Sequence, residues 1–382
     1  MIKVCFVRGK YLNNFEGQNY RFKDISFTAI SSLYPLNREF SFPVVKLPSL
    51  ADLPGRAIKY LANRILGDSQ ILFGLEKFAG KFDIFHTADP HYFYSYQLAK
   101  LRKKRLIKKL VVTSWETIPF NNETVSKKKF IKYFVIKNSD FFICYSQSAK
   151  SVLVSEGVNE KKIMIIRLGV DLNQFKPDPD KMTRSRHFVR KEEMVILFVG
   201  RLVKEKGVLD LYDAFRFLKS KMSSVKSDSK SLKLKIVGGG PLRNYLLTKI
   251  KSDKLANDVS IEKKEYGEMP KIYQQADLFV LPSKKTGTWE EQYGMVLVEA
   301  MASGLPIVAY DSGVISEIVG SAGILVKEGN KKNLLVSINR LIETQDLRDK
   351  LGKMGRERAE KYFDAKKTAE SIKNIYLKVF NN

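Results

Sequence analysis

Residues 291–320 read EQYGMVLVEAMASGLPIVAYDSGVISEIVG. The apolar run after Gly294 has the length of a short helix, and Gly304 and Pro306 predict where that helix ends. The next apolar run, residues 306–310, is short enough to be a buried strand. A helix followed at once by such a strand is typical of an α/β fold with a parallel sheet.

The same alternation of strands and helices extends along most of the chain. Two further predicted helices cover residues 94–109 and 126–136. Another begins at Gly207, and the last occupies about the final twenty residues. A polar stretch with two prolines, residues 175–190, predicts a linker between two α/β domains. The predicted strands are residues 2–7, 82–86, 110–114, 140–145, 194–199, 232–237, 278–281 and 306–310.

Length and composition are those of a globular protein with two domains. The chain has 382 residues, of which 44% are hydrophobic and 28% charged. No apolar run approaches the length of a membrane-spanning helix, and the first ten residues resemble a strand more than a secretion signal. We therefore expect a cytoplasmic protein. Cys5 and Cys144 lie in apolar runs and are expected to be buried thiols.

The net charge of +26 predicts attraction to polyanions. Lys and Arg concentrate in residues 100–137, where apolar residues lie between them. Such a segment is either a solvated helix face or a surface that contacts anionic membrane. A basic nucleic-acid-binding protein is an alternative of a different class, although the sequence contains no recognised nucleic-acid module.

Two carboxylates flank the start of the helix after Gly294. Glu291 precedes the helix, and Glu299 lies in its second turn. The free amides from Gly294 to Leu297 favour an anion at the same place. A phosphate-bearing ligand would thus find amide donors beside carboxylates that accept hydrogen bonds from sugar hydroxyls, while the alternative is an amphipathic helix with two solvated acids.

A second candidate site is GRLVKEKG, residues 200–207, which follows a predicted buried strand. Ligands of open α/β folds bind at the carboxyl ends of the strands. Arg201 and Lys206 would present two cations there, and both are suited to phosphate oxygens. The alternative is that both are ordinary exposed cations of a basic protein.

These motifs resemble the family-four retaining glycosyltransferases, which have the GT-B fold. The resemblance is carried by the motif at 291–320, by ADLFVLPS at 276–283 and by SQSAKSVLVSEGVNEKKIMIIRLGVDLNQFKPD at 146–178. It implies two Rossmann-like domains that face each other across a cleft, with a nucleotide-diphosphate sugar as co-substrate. The acceptor domain would be residues 1–178, joined by a C-terminal helix at 362–382, and the donor domain residues 179–361.

The resemblance also implies roles for individual residues. Arg201 and Lys206 would bind the diphosphate and stabilise the leaving group, Glu291 would hold sugar hydroxyls, and Glu299 the ribose. Because cations and a helix terminus meet the phosphate charge, the scheme requires no metal. Asp178 and Asp180 have the spacing of a metal-binding pair used by a different fold, but they lie in the predicted linker, so we give them no metal role. The amides expected to take the phosphate are those of Gly294, Met295, Val296, Leu297 and Val298.

The first domain departs from the family in two places. The usual glycine pair of the first loop is absent, which leaves Gly17 as the candidate for ligand contact. The usual histidine after residues 110–114 is replaced by Trp115 and Glu116. Glu116 is either an acceptor of the attacking hydroxyl's proton or a plain loop acid. The acceptor would be a hydroxyl of a glycan or lipid-linked precursor, and a synthase, phosphorylase or epimerase of the same fold is the alternative chemistry.

Overall fold

A computed structural model describes residues 1–179, 193–224 and 231–382. The chain forms two compact units, which are Met1–Gly169 with Ala365–Asn382, and Val170–Asp364. Each unit contains its own parallel sheet. The fold class is therefore α/β with two Rossmann-like domains, as the sequence predicts.

The first unit, which is described throughout, has a seven-stranded sheet in the order β3-β2-β1-β4-β5-β6-β7. The chain order reverses between β1 and β4, so the loops after these two strands diverge and leave a crevice. The strands are β1 (Ile2–Gly9), β2 (Ile25–Ser32), β3 (Val44–Leu47), β4 (Ile84–Ala88), β5 (Lys109–Ser114), β6 (Phe141–Cys144) and β7 (Ile163–Ile165). The helices are α1 (Asn14–Gly17), α2 (Arg56–Ile65), α3 (Phe93–Lys103), α4 (Ser126–Lys137) and α5 (Gln147–Ser155).

The described part of the second unit has a six-stranded sheet in the order β10-β9-β8-β11-β12-β13, which reverses between β8 and β11. Its strands are β8 (Glu193–Val199), β9 (Ser231–Val237), β10 (Val259–Glu262), β11 (Leu278–Leu281), β12 (Ile307–Asp311) and β13 (Gly323–Lys327). Its helices are α6 (Val208–Ser224), α7 (Arg243–Ser252), α8 (Met269–Gln275), α9 (Met295–Ala302), α10 (Ile315–Val319), α11 (Lys331–Glu343) and α12 (Gln345–Tyr362). The last helix, α13 (Ala365–Asn381), belongs to the first unit.

Central strands form the cores of both units because helices cover both sheet faces. Val4, Cys5 and Phe6 of β1 are fully buried, as are Ile196 and Leu197 of β8. Cys5 and Cys144 are free, buried thiols, as predicted. Burial on both faces explains why these strands are continuous apolar runs in the sequence.

The predicted strands are confirmed, and the predicted helices are confirmed with one correction. The helix expected over residues 94–109 ends at Lys103, because Arg105 takes a left-handed conformation with φ of 59°. Lys109 already belongs to β5.

The two units meet in sequence at Gly169 and Val170, whereas the sequence placed the domain boundary after residue 178. Residues 170–179 pack within the second unit, where the Arg356 Nη1 donates to the Phe175 carbonyl at 2.9 Å. Helix α13 packs in the first unit, and its Tyr376 hydroxyl lies 2.7 Å from the His86 Nδ1. The predicted linker at 175–190 lies largely outside the described residues, as does Asp180.

Candidate functional site

The second sheet reverses its strand order at β8 and β11, and the two predicted motifs follow these strands directly. Residues 200–207 leave the carboxyl end of β8, and residues 282–294 leave the carboxyl end of β11. Ligands of open α/β sheets bind at such a point. The topology therefore brings both motifs to one crevice of the second unit.

Two glycines allow the loops of this crevice to pack against each other. Gly207 has φ of +67°, and a Cβ there would lie 1.8 Å from the Pro282 carbonyl oxygen. A Cβ on Gly238 would lie 1.9 Å from the Gly200 carbonyl oxygen. Larger residues at these positions would push the loops apart. The backbone of the crevice is thus fixed by close contacts that require glycine.

Lys206 and Glu291 form a direct ion pair in this crevice. The Lys206 Nζ lies 2.6 Å from the Glu291 Oε2, and the Ser283 hydroxyl donates to the same oxygen at 3.0 Å. The side chains of Lys206 and Glu291 are 12% and 8% exposed. The two residues predicted to bind different parts of a ligand therefore also contact each other directly.

Arg201 is the more accessible cation of the pair predicted for this loop. Its side chain is 59% exposed, and its Nη2 lies 3.6 Å from the Glu205 carboxylate. The Trp289 ring lies beneath both cations, with its centroid 4.9 Å from the Lys206 Nζ and 5.9 Å from the Arg201 guanidinium. Sequence reasoning missed Trp289 and Ser283, although a tryptophan two residues before Glu291 was a usable signal.

Helix α9 begins at Met295, after Gly294 with φ of +76°. The first amides of a helix have no carbonyl partner in a preceding turn. The structure corrects the predicted run of free amides, because the Leu297 amide donates to the Gly294 carbonyl at 2.8 Å. Leu297 and Val298 are also fully buried. The amides of Met295 and Val296 remain at the helix N-terminus.

The sequence predicts that Glu299 borders the crevice. In the structure it lies inside the unit instead. It is 3% exposed, and the Tyr273 hydroxyl donates to its Oε2 at 2.6 Å. Burial raises the pKa of Glu299 to about 7, while hydrogen bonds from Tyr273 and Tyr266 favour its ionised form. Glu299 is nevertheless the fifth residue of α9, which places its backbone about 6 Å along the axis from the helix N-terminus.

In the first unit, Glu116 organises its own loop. Its Oε1 accepts from the Thr117 and Ile118 amides, both at 3.1 Å, and its Oε2 from the Asn121 and Asn122 side chains at 3.0 and 2.9 Å. The residue is 5% exposed. Both oxygens are thus engaged within the loop, which favours the alternative of a loop acid over a role as acceptor of the substrate's proton.

Gly17 ends helix α1 and is buried. A Cβ there would lie 3.4 Å from the Phe42 ring, so the residue faces aromatic packing instead of an open ligand surface. Its neighbour Glu16 forms a buried ion pair with Arg8, with 2.8 Å between the Arg8 Nε and the Glu16 Oε2. Sequence reasoning missed this pair, which occupies the loop where the family's glycines would lie.

Asp89 is a further carboxyl at the crevice of the first sheet. It follows β4, and its Oδ1 accepts from the Trp115 amide at 2.6 Å. Burial raises the pKa of Asp89 to about 7, although the nearby Arg8 guanidinium favours the ionised form. The Arg8 Nη1 donates to the Ala88 carbonyl at 3.2 Å, so these groups connect the ends of β1, β4 and β5.

Comparison with known proteins identifies the chain. The family model described as "Glycosyltransferase Family 4" matches residues 32–174, and the model described as "Glycosyl transferases group 1" matches residues 180–358. Together they span both sheets. This chain belongs to the group 1 glycosyltransferases.

Relatives of this glycosyltransferase include the capsular polysaccharide biosynthesis glycosyltransferase CapM of Staphylococcus aureus, 27% identical over 66% of this chain and 67% of CapM. The uncharacterized glycosyltransferase MJ1178 of Methanocaldococcus jannaschii is 26% identical over 93% of this chain and 91% of the relative.

Solved structures share the GT-B fold of the glycosyltransferase. Anabaena HepE in complex with UDP has a TM-score of 0.74 at 18% identity and covers 99% of this chain and 100% of its own. The sucrose-phosphate synthase of Thermosynechococcus elongatus has a TM-score of 0.73 at 18% identity, with 100% of both chains covered.

The basic segment 100–137 of the glycosyltransferase is more folded into the protein than the sequence indicates. Lys132 is buried and pairs with Glu156 and with Glu123. Arg102 forms two hydrogen bonds to Asp140, both at 2.7 Å. Part of the positive charge is therefore neutralised within the first unit, and the segment is not a uniformly free basic face.

Two further expectations concern metals and membranes. Among residues 1–179, 193–224 and 231–382, no group of three or more His, Cys, Asp or Glu side chains is arranged to hold a metal ion. Asp180, one member of the pair with metal-like spacing, lies outside these ranges. Within the same ranges, no helix has both the length and the apolar character needed to cross a membrane.

Proposed function

We propose that this glycosyltransferase transfers a sugar, with retention of configuration, from a nucleotide-diphosphate sugar to a hydroxyl acceptor. The observation that carries the proposal is the 2.6 Å pair of Lys206 and Glu291 at the crevice of the second sheet. A cation and an anion of fixed position lie there beside exposed Arg201 and the start of α9. This combination matches a ligand that joins a diphosphate to sugar hydroxyls.

Lys206 is proposed to bind the diphosphate while it keeps its contact with Glu291. An ammonium has three donors, so one remains on Glu291 while the others reach phosphate oxygens. Arg201 is free to swing from Glu205 to the same phosphates, and the Met295 and Val296 amides add donors. These groups would stabilise the charge that develops on the leaving diphosphate, and the proposal assigns no step to a metal.

The bond that breaks joins the anomeric carbon to a diphosphate oxygen, and its electron pair leaves with that oxygen. The acceptor hydroxyl attacks from the face of departure, and its proton passes to the leaving phosphate. No protein nucleophile is required, and Glu116 is not needed as a base. Glu291 would orient the sugar through the oxygen lone pairs not used by Lys206 and Ser283.

Glu299 is proposed to bind the ribose of the donor near the N-terminus of α9, although its side chain is almost fully buried. Its Oε2 is held by Tyr273, which fixes the direction of the carboxylate. Two vicinal hydroxyls can then donate to a group of known orientation. The solved relatives support a nucleotide donor, because HepE was crystallised with UDP and with UDP-glucose.

We further propose that the acceptor is a glycan precursor. More specifically, we propose that this precursor is linked to a lipid and reacts at the cytoplasmic face of a membrane. The names of the relatives support this class: CapM acts in capsular polysaccharide biosynthesis, and WcaL of Escherichia coli is a putative colanic acid biosynthesis glycosyltransferase. The net charge of +26 also favours an anionic surface.

A panel of nucleotide sugars, tested by thermal stabilisation, examines the donor assignment directly. A ligand that binds the native state raises its melting temperature, by an amount that grows with ligand concentration. We expect one nucleotide sugar and its nucleoside diphosphate to stabilise the protein. With that donor, product formation on a hydroxyl acceptor supports transfer, whereas turnover only with inorganic phosphate would instead identify a phosphorylase.

A further inference from the structure

Helix α2 of the first unit exposes an apolar stripe. Ile58, Leu61 and Ile65 are 46%, 56% and 61% exposed. Residues spaced by three, four and seven positions lie on one helix face. Ala62, four positions after Ile58, lies at the edge of the same face, where it is buried and attaches the helix to the unit. The helix thus packs on the unit through the edge of this face, while Ile58, Leu61 and Ile65 stay exposed.

The rest of α2 is basic. Its sequence, RAIKYLANRI, contains no acidic residue. A helix with a basic face and an apolar stripe, and little hydrophobicity overall, is of the kind that lies in a membrane interface. Tyr60, 65% exposed, adds an amphipathic ring of the type enriched at such interfaces.

Helix α4 brings further positive charge to the end of α2. A Cβ on Gly67, just after α2, would lie 3.0 Å from the Lys128 amide nitrogen. The first turn of α4 is therefore adjacent to the end of α2. Its Lys127 and Lys129 are exposed. The apolar stripe of α2 thus has basic residues of both α2 and α4 beside it, although the Lys129 Nζ also lies 3.1 Å from the Glu123 carboxylate.

The exposed apolar surface continues into the loops after β2 and β3. The Asp52 carboxylate accepts from the Leu33 amide at 3.1 Å and from the Tyr34 amide, which joins the two loops. Leu53 is 41% and Tyr34 is 68% exposed. Both loops leave the carboxyl ends of their strands, which is also the edge of the sheet where Asp89 lies.

We propose that α2 docks the enzyme on an anionic phospholipid bilayer, with Ile58, Leu61 and Ile65 at the boundary of the acyl chains. Lys59, Arg64 and the first turn of α4 would contact lipid phosphates. Charge complementarity favours this occupant over a second copy of the chain, because two such basic helices would repel each other. This proposal rests on the proposed function in one respect: docking would bring the crevice of the first sheet to a lipid-linked acceptor.

A fluorescence experiment tests insertion without donor or acceptor. Cys5 and Cys144 are buried, so Leu61→Cys provides the site for an environment-sensitive dye. Val336→Cys is the control, because Val336 is 56% exposed on α11 of the second unit. Vesicles of phosphatidylglycerol and phosphatidylcholine should shift the emission of the dye on residue 61 to the blue and leave that on residue 336 unchanged. Equal responses at both sites would overturn the proposal.

Vesicle sedimentation tests the energetic role of the stripe. The variant Ile58→Gln, Leu61→Gln, Ile65→Gln should bind the same anionic vesicles about tenfold more weakly than wild type. A control with Phe217→Gln and Val336→Gln, which are 58% and 56% exposed in the second unit, should bind like wild type. Undiminished binding by the triple variant, or wild-type self-association that the triple variant abolishes, would contradict membrane docking.

Donor stabilisation in the same triple variant separates the two proposals. The nucleotide sugar should raise its melting temperature as it does in wild type, because the stripe lies outside the donor crevice. Loss of vesicle binding with retained donor binding supports docking by α2. If wild type binds vesicles but no nucleotide sugar stabilises it, the proposed function fails while docking stands.

Discussion

The Lys206 ammonium and the Glu291 carboxylate, 85 positions apart in the chain, meet at 2.6 Å where the second sheet reverses its strand order. The Ser283 hydroxyl and the Trp289 ring complete their surroundings. Each charge stabilises the other in a largely buried place. A donor that brings its own negative charge would enter beside a cation that is already positioned.

Glu291→Gln is expected to lower kcat about 100-fold. The substitution keeps the shape of the side chain but removes the anion that holds Lys206 and orients the sugar. Steady-state kinetics with the identified donor provide the measurement. Asp258→Asn is the matched control, since Asp258 pairs with Lys219 at 2.9 Å in the same unit and lies at the opposite, amino-terminal edge of the sheet. Similar losses in both variants would show that any broken ion pair has this effect.

Glu299 should make stability depend on pH. Its pKa is raised by burial from 4.5 to about 7 in the folded state. The protonated side chain therefore favours folding below pH 4.5, and this contribution disappears as the pH rises to about 7. One pKa unit corresponds to about 1.4 kcal/mol, so the full effect is about 3 kcal/mol. Relative to Glu299→Gln, wild type should lose stability between pH 5 and pH 8.

Urea unfolding followed by tryptophan fluorescence measures that change. In a Trp115→Phe background the remaining tryptophan is Trp289, which reports on unfolding of the second unit. The difference between wild type and Glu299→Gln should alter with pH in the stated direction. If the difference in unfolding free energy between the two proteins is the same at pH 5 and at pH 8, Glu299 is ionised throughout this range.

Glu116→Ala should affect stability more than catalysis. The Thr117 and Ile118 amides and the Asn121 and Asn122 side chains would lose their acceptor. Loss of buried hydrogen bonds to a charged group is expected to destabilise the first unit by about 1–3 kcal/mol. Well below the unfolding temperature, kcat should fall less than about tenfold, since general-base loss typically costs more. A stable variant with a kcat reduced a hundredfold would restore the catalytic role.

The buried pair of Arg8 and Glu16 should show strong coupling. Arg8→Met leaves the Glu16 carboxylate buried without its cation and should destabilise the first unit by about 3–5 kcal/mol. The double variant Arg8→Met, Glu16→Gln should recover part of this loss. Urea unfolding in a Trp289→Phe background, where Trp115 reports on the first unit, measures the cycle. Additive effects of the two substitutions would mean that the pair is not coupled.

The sequence predicts the central strands well because burial on both faces demands continuous apolar runs. It misses β10 and β13, which lie at the edges of the second sheet and are only partly buried. It also misses β2, whose sequence ISFTAISS mixes apolar residues with serine and threonine. Such strands are specified by pairing with neighbours, which a local pattern does not contain.

The candidate site is predictable to the level of loops but not of contacts. Lys206 and Glu291 follow predicted strands, so their convergence could be expected from parallel topology. Their direct bond depends on the close packing of Gly207 against Pro282, which is a tertiary feature. The hydrogen bonds of Glu116 to neighbouring amides and asparagines could not be predicted, because the sequence alone does not show loop conformation.

Calorimetric titration with the nucleoside diphosphate of the preferred donor tests the central claim most directly. Wild type and Lys219→Ala should bind it with similar affinity, whereas Lys206→Ala should bind about ten- to a hundredfold more weakly, as expected for loss of one charged contact. Equal affinity of Lys206→Ala and wild type, with both proteins folded, would show that the diphosphate does not bind at this loop.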